Sequence, residues 1–244
     1  MKRSLYILLL GIVVVGGSWQ WMSANAENEA ASAFMTLTPD VDPVPESAEV
    51  STFGAGCFWC VEEVFHQTPG ILSSVSGYMG GSAETANYEE VCSGRTEHAE
   101  VVQVFFDPDV ISYSEVLDQF FKLHDPTTIN RQGNDRGTQY RSAIFYHDDL
   151  QKLAAEKKIQ ELTASKEFSG DIVTEVTEAP TFYEAEEYHQ NFARHNPGNG
   201  YLTNVLYPKL KKLHLKIPAG EGSGEQPKGS ALKGSSLKGS GPKP

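Results

Sequence analysis

Gly56-Cys57-Phe58-Trp59-Cys60-Val61-Glu62-Glu63 is the stretch on which the reading of this chain turns. Cys57, Cys60, Val61, Val64 and Phe65 recur at the spacing of one helix face, with Glu62, Glu63 and His66 on the other. Cys57 therefore stands at a helix N-terminus. Unpaired backbone N–H groups and the helix dipole favour a thiolate there, and the thiolate is the reactive form. Cys60 lies one turn on, near enough to pair as a disulfide. The segment reads as a redox nucleophile with a partner. A purely structural Cys57–Cys60 bridge would close too short a loop to stabilise much. A zinc site would need two further ligands at matching spacing, which Cys92 and the scattered histidines do not supply. No metal and no cofactor are expected.

Outward from this motif, the flanking strands and helices alternate. Glu49–Ala55 reads as a strand feeding the cysteine helix, which runs to about Gln67 and stops before Pro69. Ile71–Tyr78 and His98–Phe106 read as strands, with 82–95 between them as a loop. Ser112-Tyr113-Ser114-Glu115 is a capping box opening a helix. Residues 125–138 form a long polar loop, of the kind that is usually functional. A strand over 140–147, a helix over 149–166 and a strand over 171–177 follow. Strands joined by helices, with hairpins among them, predict an α+β two-layer sandwich with a split β-α-β, ferredoxin-like core.

In the third strand, Glu100 shares a face with Val102, Val104 and Phe106, while Ala99, Val101, Gln103 and Phe105 cover the other. Two readings stand. A carboxyl among apolar neighbours has its pKa raised and can act as a general acid. Alternatively, Glu100 sits at a fraying strand end and turns to solvent. Cys92 is read as a small apolar residue, with a redox role as the alternative.

The chain has 244 residues and a net charge of −12, which argues against a nucleic-acid partner. Met1-Lys2-Arg3, an apolar run over residues 5–17 and Ala24-Asn25-Ala26 predict a secretory signal peptide over 1–26. Trp19 and Trp21 leave an uncleaved membrane anchor as the alternative. The working part is expected outside the cytoplasm, in the periplasm or beyond. Residues 27–49 read as a flexible linker, 50–215 as one domain, and 216–244, rich in Gly, Ser, Lys and Pro, as a disordered tail.

Gly56-Cys57-Phe58-Trp59, Gly77-Tyr78, the run Asn87 to Gly94, His98-Ala99-Glu100, His124-Asp125-Pro126 and the run Arg131 to Ser142 resemble, in order, the motifs of peptide methionine sulfoxide reductases of the A type. The resemblance spans about residues 51–208 and implies an α+β fold. It implies that Cys57 attacks the sulfoxide sulfur and that Glu100 protonates its oxygen. Tyr88 and Tyr140 would hydrogen-bond that oxygen, and Phe58 and Trp59 would hold the substrate's ε-methyl group. Asp135 would orient substrate, and His189 would help hold its backbone. Cys57 would pass through a sulfenic acid. Many members carry the resolving cysteine in a C-terminal segment, but no cysteine follows Asn196 here. Cys60 replaces a glycine common in the family, which implies a Cys57–Cys60 disulfide. The implied partners are proteins carrying methionine sulfoxide, the free amino-acid sulfoxide and a thioredoxin-like reductant. The S epimer is the implied substrate, and a monomer is expected. An exported CxxC thiol–disulfide oxidoreductase is the alternative function. Against it, Phe58-Trp59 is an unusual pair between such cysteines.

Overall fold

A computed structural model describes residues 44–219. The signal segment, most of the linker and nearly all of the tail lie outside the described residues. Strands β1 (Glu49–Ala55), β2 (Ile71–Met79) and β3 (Ala99–Phe106) follow the apolar runs read from the sequence, and helix α1 (Phe58–His66) joins the first two. After β2 come a 3-10 turn (Ala83–Thr85) and the short helix α2 (Tyr88–Cys92), where the sequence predicts only loop. The signal for α2 is local: the Asn87 side chain caps it by accepting from the Glu90 N–H at 3.1 Å.

Helix α3 (Tyr113–Leu123) opens on the expected capping box, in which Ser112 accepts from the Glu115 N–H and the Glu115 carboxylate accepts from the Ser112 N–H. The polar loop that follows contains a small ribbon, β4 (Arg131–Gln132) and β5 (Asp135–Arg136), then a 3-10 turn (Thr138–Tyr140). Strand β6 (Ser142–Tyr146), helix α4 (Asp149–Ser165), β7 (Glu175–Glu178) and β8 (Phe182–Glu184) complete the sheet. The expected 171–177 strand begins later, at Glu175, and β8 carries no strong sequence pattern. A 3-10 turn (Glu187–His189), helix α5 (Phe192–His195), a π-helical stretch (Leu202–Leu206) and helix α6 (Tyr207–Lys212) form the C-terminal arm.

The six-stranded sheet runs β7-β6-β1-β3-β2-β8. Strand β3 lies antiparallel between β1 and β2, so β1-α1-β2 is a split β-α-β unit, and β6 pairs antiparallel on the far side of β1. The expected ferredoxin-like core is the centre of this sheet. Its helix-covered face holds Phe53, Phe65 and Phe120, stacked at 4.9 and 5.5 Å, with Val102, Val104 and Phe106 from β3. Burying each such ring stabilises by roughly 2–3 kcal/mol. The other face carries a smaller cluster of Met79, Ala99, Val101, Ala143 and Phe145. Both faces of β3 are therefore covered, as its two-sided apolar pattern requires.

The opposite face of α1 is covered as well. Glu62 and Glu63 are buried. The C-terminal arm accounts for this by folding back across α1. The Asn191 N–H donates to Glu62 and the Arg194 guanidinium pairs with Glu63, each at 3.0 Å. At the end of α1, the Gln67 side-chain amide holds the backbone of Lys216 with two hydrogen bonds. Leu202, Leu206 and Leu210 of the arm are fully buried in the core.

Candidate active site

Gly56 decides where Cys57 sits. Its φ of +85° suits glycine, and a Cβ there would lie 2.6 Å from the Gln132 side chain. The chain turns at this point from β1 into α1, and Cys57 becomes the residue that caps the helix. The first free helical donor, the Phe58 N–H, does not face the thiol. It donates at 3.0 Å to Oε2 of Glu100, which reaches across from β3.

This geometry reverses the expected direction for the nucleophile. Burial pushes the Cys57 thiol well above its ordinary pKa, and neighbouring Cys60 and Glu100 add to the effect. The helix terminus gives the thiol no offsetting hydrogen bond, because the Cys57 side chain makes no capping contact and the Phe58 N–H goes to Glu100. Cys60 shifts the other way. The Cys57 hydrogen bond lowers it most, and the positive charge of Lys209 helps against burial. Cys57 and Cys60 lie near enough for each to shift the other's pKa, and all three cysteines are free thiols.

Glu100 is 2 % exposed. Burial raises its carboxyl to about 8, although the Phe58 N–H pulls in the opposite direction. Of its two sequence readings, the buried acid is the one the fold adopts. Near neutral pH it holds a proton. Tyr140, at the end of its 3-10 turn, is nearly fully buried, and Tyr88 opens α2. Burial is the main cause that raises both phenols, and the charges of Glu100 and Cys57 add to it. Both hydroxyls therefore stay protonated as hydrogen-bond donors. Cys92 is half-buried beside the Tyr88 hydroxyl rather than enclosed in the core, and burial raises its thiol to about 11.

The aromatic wall is built from two distant segments. Trp59 stacks on Phe192 at 3.8 Å and 10°, and Phe58 lies 5.0 Å from the His189 ring. The Trp59 indole N–H donates to Nδ1 of His189 at 3.0 Å. That bond assigns the neutral tautomer with the proton on Nε2. Burial holds His189 down at about 4, so the ring stays neutral. Its Nε2 is buried without a hydrogen-bond partner and lies 3.8 Å from Glu186, leaving a donor available within the wall. Asp135 accepts from the Tyr201 hydroxyl at 2.5 Å.

The fold thus gathers every residue singled out in the sequence: Cys57, Cys60, Phe58, Trp59, Tyr88, Glu100, Asp135, Tyr140 and His189. It adds three that sequence reasoning missed. Tyr201 hydrogen-bonds Asp135 and contacts both Cys57 and Cys60. Glu186 accepts from the Tyr78 hydroxyl and the Tyr88 N–H, each at 2.9 Å, and so fixes the start of α2. Phe192 supplies the face on which Trp59 rests.

A family model described as peptide methionine sulfoxide reductase matches residues 49–219, more than half of the chain. The chain belongs to the peptide methionine sulfoxide reductases. The reductase is 56 % identical over 165 residues to MsrA of Acinetobacter baumannii strain AYE, covering 68 % of this chain and 94 % of that one. It is 56 % identical over 159 residues to MsrA of Methanothermobacter thermautotrophicus, covering 65 % and 94 %. Among solved structures it resembles reduced Mxr1 of Saccharomyces cerevisiae at 36 % identity and a TM-score of 0.61, covering 66 % and 91 %. It also resembles methionine sulfoxide reductase A of Corynebacterium diphtheriae at 35 % identity and a TM-score of 0.57, covering 64 % and 78 %. This reductase is therefore an oxidoreductase of the A type acting on methionine sulfoxide, with the α+β fold of those neighbours.

Proposed function

We propose that this enzyme reduces methionine S-sulfoxide, in proteins and as the free amino acid, through a sulfenic acid on Cys57. The observation that carries the proposal is the buried Glu100 carboxyl, raised to about 8 and fixed by the Phe58 N–H directly beside the nucleophile. The sulfoxide oxygen sits among Glu100, Tyr88 and Tyr140, and its methyl group packs on Phe58 and Trp59. Glu100 gives its proton to that oxygen as the Cys57 sulfur attacks the sulfoxide sulfur. The S–O bond of the substrate breaks, and oxygen passes to Cys57. The Cys57 thiol proton returns to Glu100, so a thiol and a sulfoxide become a sulfenic acid and a thioether. Loss of the thiol proton in the course of the attack suits a nucleophile whose burial opposes a resting thiolate, with the protonated Glu100 activating the substrate.

Cys60 then attacks the Cys57 sulfenic acid, forming a disulfide and releasing water. A thioredoxin-like dithiol reduces that disulfide by exchange. The mutual influence of the two thiols, placed at the N-cap and in the first turn of α1, supports Cys60 in this role. Residues 1–26 support action outside the cytoplasm, where the enzyme repairs oxidised exported proteins, with uncleaved anchoring as the alternative.

A single turnover without reductant tests the proposal. The pre-reduced enzyme is mixed with a methionine S-sulfoxide peptide, and both are weighed intact. Loss of one oxygen from the peptide and a Cys57–Cys60 disulfide are expected. A reduced peptide with a Cys57–Cys92 bridge would overturn the role of Cys60. An unchanged peptide with fully active thiols would favour the thiol–disulfide oxidoreductase.

A further inference from the structure

The ribbon β4–β5 presents two arginines to each other. Arg131 and Arg136 are direct cross-strand partners, one pair outside Gln132 and Asp135. Like charges placed opposite each other destabilise a strand pair, and a ribbon this short is marginal already. Among the described residues neither guanidinium makes an ion pair. Arg131 Nε is buried with no hydrogen-bond partner. The nearby acid, Asp125, feels the Arg131 charge, but its carboxylate accepts from the N–H and hydroxyl of Thr127 at 3.0 and 2.6 Å. The two arginines, Thr128, Asn130 and the 74 % exposed Ile129 line a cavity of about 310 Å³.

The other pair of the same ribbon belongs to the reaction centre. Gln132 packs against Gly56, next to Cys57, and Asp135 is bonded to Tyr201. An extended peptide advances roughly 3.3–3.6 Å per residue. A substrate held at Cys57 and leaving over the ribbon edge would pass the arginines within a few residues of the sulfoxide, because Arg131 adjoins Gln132, which packs against Gly56. The enzyme carries a net charge of −12, so its general field repels acidic substrates. A pair of cations without ion-pair partners, Arg131 half-buried and Arg136 exposed, offsets that repulsion locally.

We propose that Arg131 and Arg136 form a carboxylate-binding subsite that favours oxidised methionines flanked by Asp or Glu in the substrate protein. The subsite rests on the methionine sulfoxide reading of the neighbouring centre. Ile129 adds apolar contact for the stem of the acidic side chain.

Three peptides test it, each with one methionine sulfoxide and with Glu, Gln or Lys at the second and third positions on both sides. kcat/KM is measured for the full chain and for Arg136→Gln, at low salt and at high salt, with free methionine sulfoxide as the control. The Glu peptide is expected to exceed the Gln peptide by about three- to fivefold at low salt, with the Lys peptide lowest. The Glu-to-Gln ratio falls towards one at high salt and in Arg136→Gln. The ratio is internal to each protein, so partial loss of folded enzyme does not change it. A ratio of one in the parent at low salt overturns the subsite, provided free methionine sulfoxide is reduced. An unchanged ratio in Arg136→Gln overturns it as well. A variant that keeps the ratio but needs more dithiol reductant assigns the arginines to reductant docking instead. Failure on free methionine sulfoxide and on all three peptides would overturn the reductase reading itself.

Discussion

Two buried carboxyls, Glu62 and Glu100, share almost every property that usually marks a catalytic acid. Each is nearly solvent-free, each accepts one backbone N–H at 3.0 Å, and burial raises each to about 8. Their surroundings differ. Glu100 stands beside Cys57 with Tyr88 and Tyr140 close by. Glu62 faces the other way from α1, towards Asn191 and Ser76, with its second oxygen unpartnered. The raised value itself therefore does not identify the acid. A buried carboxyl acts as a catalyst where a nucleophile and donors converge on one substrate atom. Elsewhere the same chemistry ties segments together, here the C-terminal arm to α1.

The comparison breaks most sharply under amide substitution. Glu100→Gln should slow single-turnover sulfoxide reduction by on the order of 10²- to 10⁴-fold with the fold retained, as circular dichroism and thermal melting would verify. Glu62→Gln should leave that rate within about twofold. Comparable losses in both variants would erase the distinction. Cys60→Ser sharpens a different part of the account. The first turnover should survive, while steady-state reduction with a thioredoxin-like donor stops. Normal cycling would transfer the resolving role to Cys92 or to the donor.

The pH profile comes next. Catalysis needs protonated Glu100, so the single-turnover rate should be level below about pH 8 and fall about tenfold per unit above it. A rate that keeps rising above pH 8 would instead point to a thiolate as the reacting form. Stability should follow the same sign. Between their ordinary values and about 8 both carboxyls keep a proton that the unfolded chain has lost, so stability decreases as pH rises through that window. Glu62→Gln should flatten this slope and raise stability at pH 8 by about 1–3 kcal/mol, measured by urea unfolding. A modest loss is expected of Tyr201→Phe, which removes the bond to Asp135. It should weaken kcat/KM about fivefold, the equivalent of roughly one hydrogen bond.

The legible and illegible parts of the sequence divide by range of interaction. The split β-α-β core could be read because β1, α1, β2 and α3 carry their own periodicities and caps. Cys57, Phe58, Trp59 and Cys60 sit in one motif, and Glu100 betrayed itself by breaking an apolar strand face. The burial of Glu62 and Glu63 is not legible in the helix pattern, because what buries them lies 129 and 131 residues away in the arm. Tyr201 and Glu186 were missed for the same reason: their partners, Asp135, Tyr78 and Tyr88, belong to other elements. The direction of the Cys57 shift was also a tertiary matter. Burial by other elements is the largest influence on the thiol, and Cys57 makes no capping hydrogen bond at the helix terminus to offset it.

The most direct test is the single-turnover rate of Glu100→Gln and Glu62→Gln measured side by side from pH 6 to 9. The account predicts a rate lost at every pH in the first variant. In the second it predicts the parent profile, level and then falling above about 8. A Glu100→Gln enzyme that retains the parental rate and profile would contradict it.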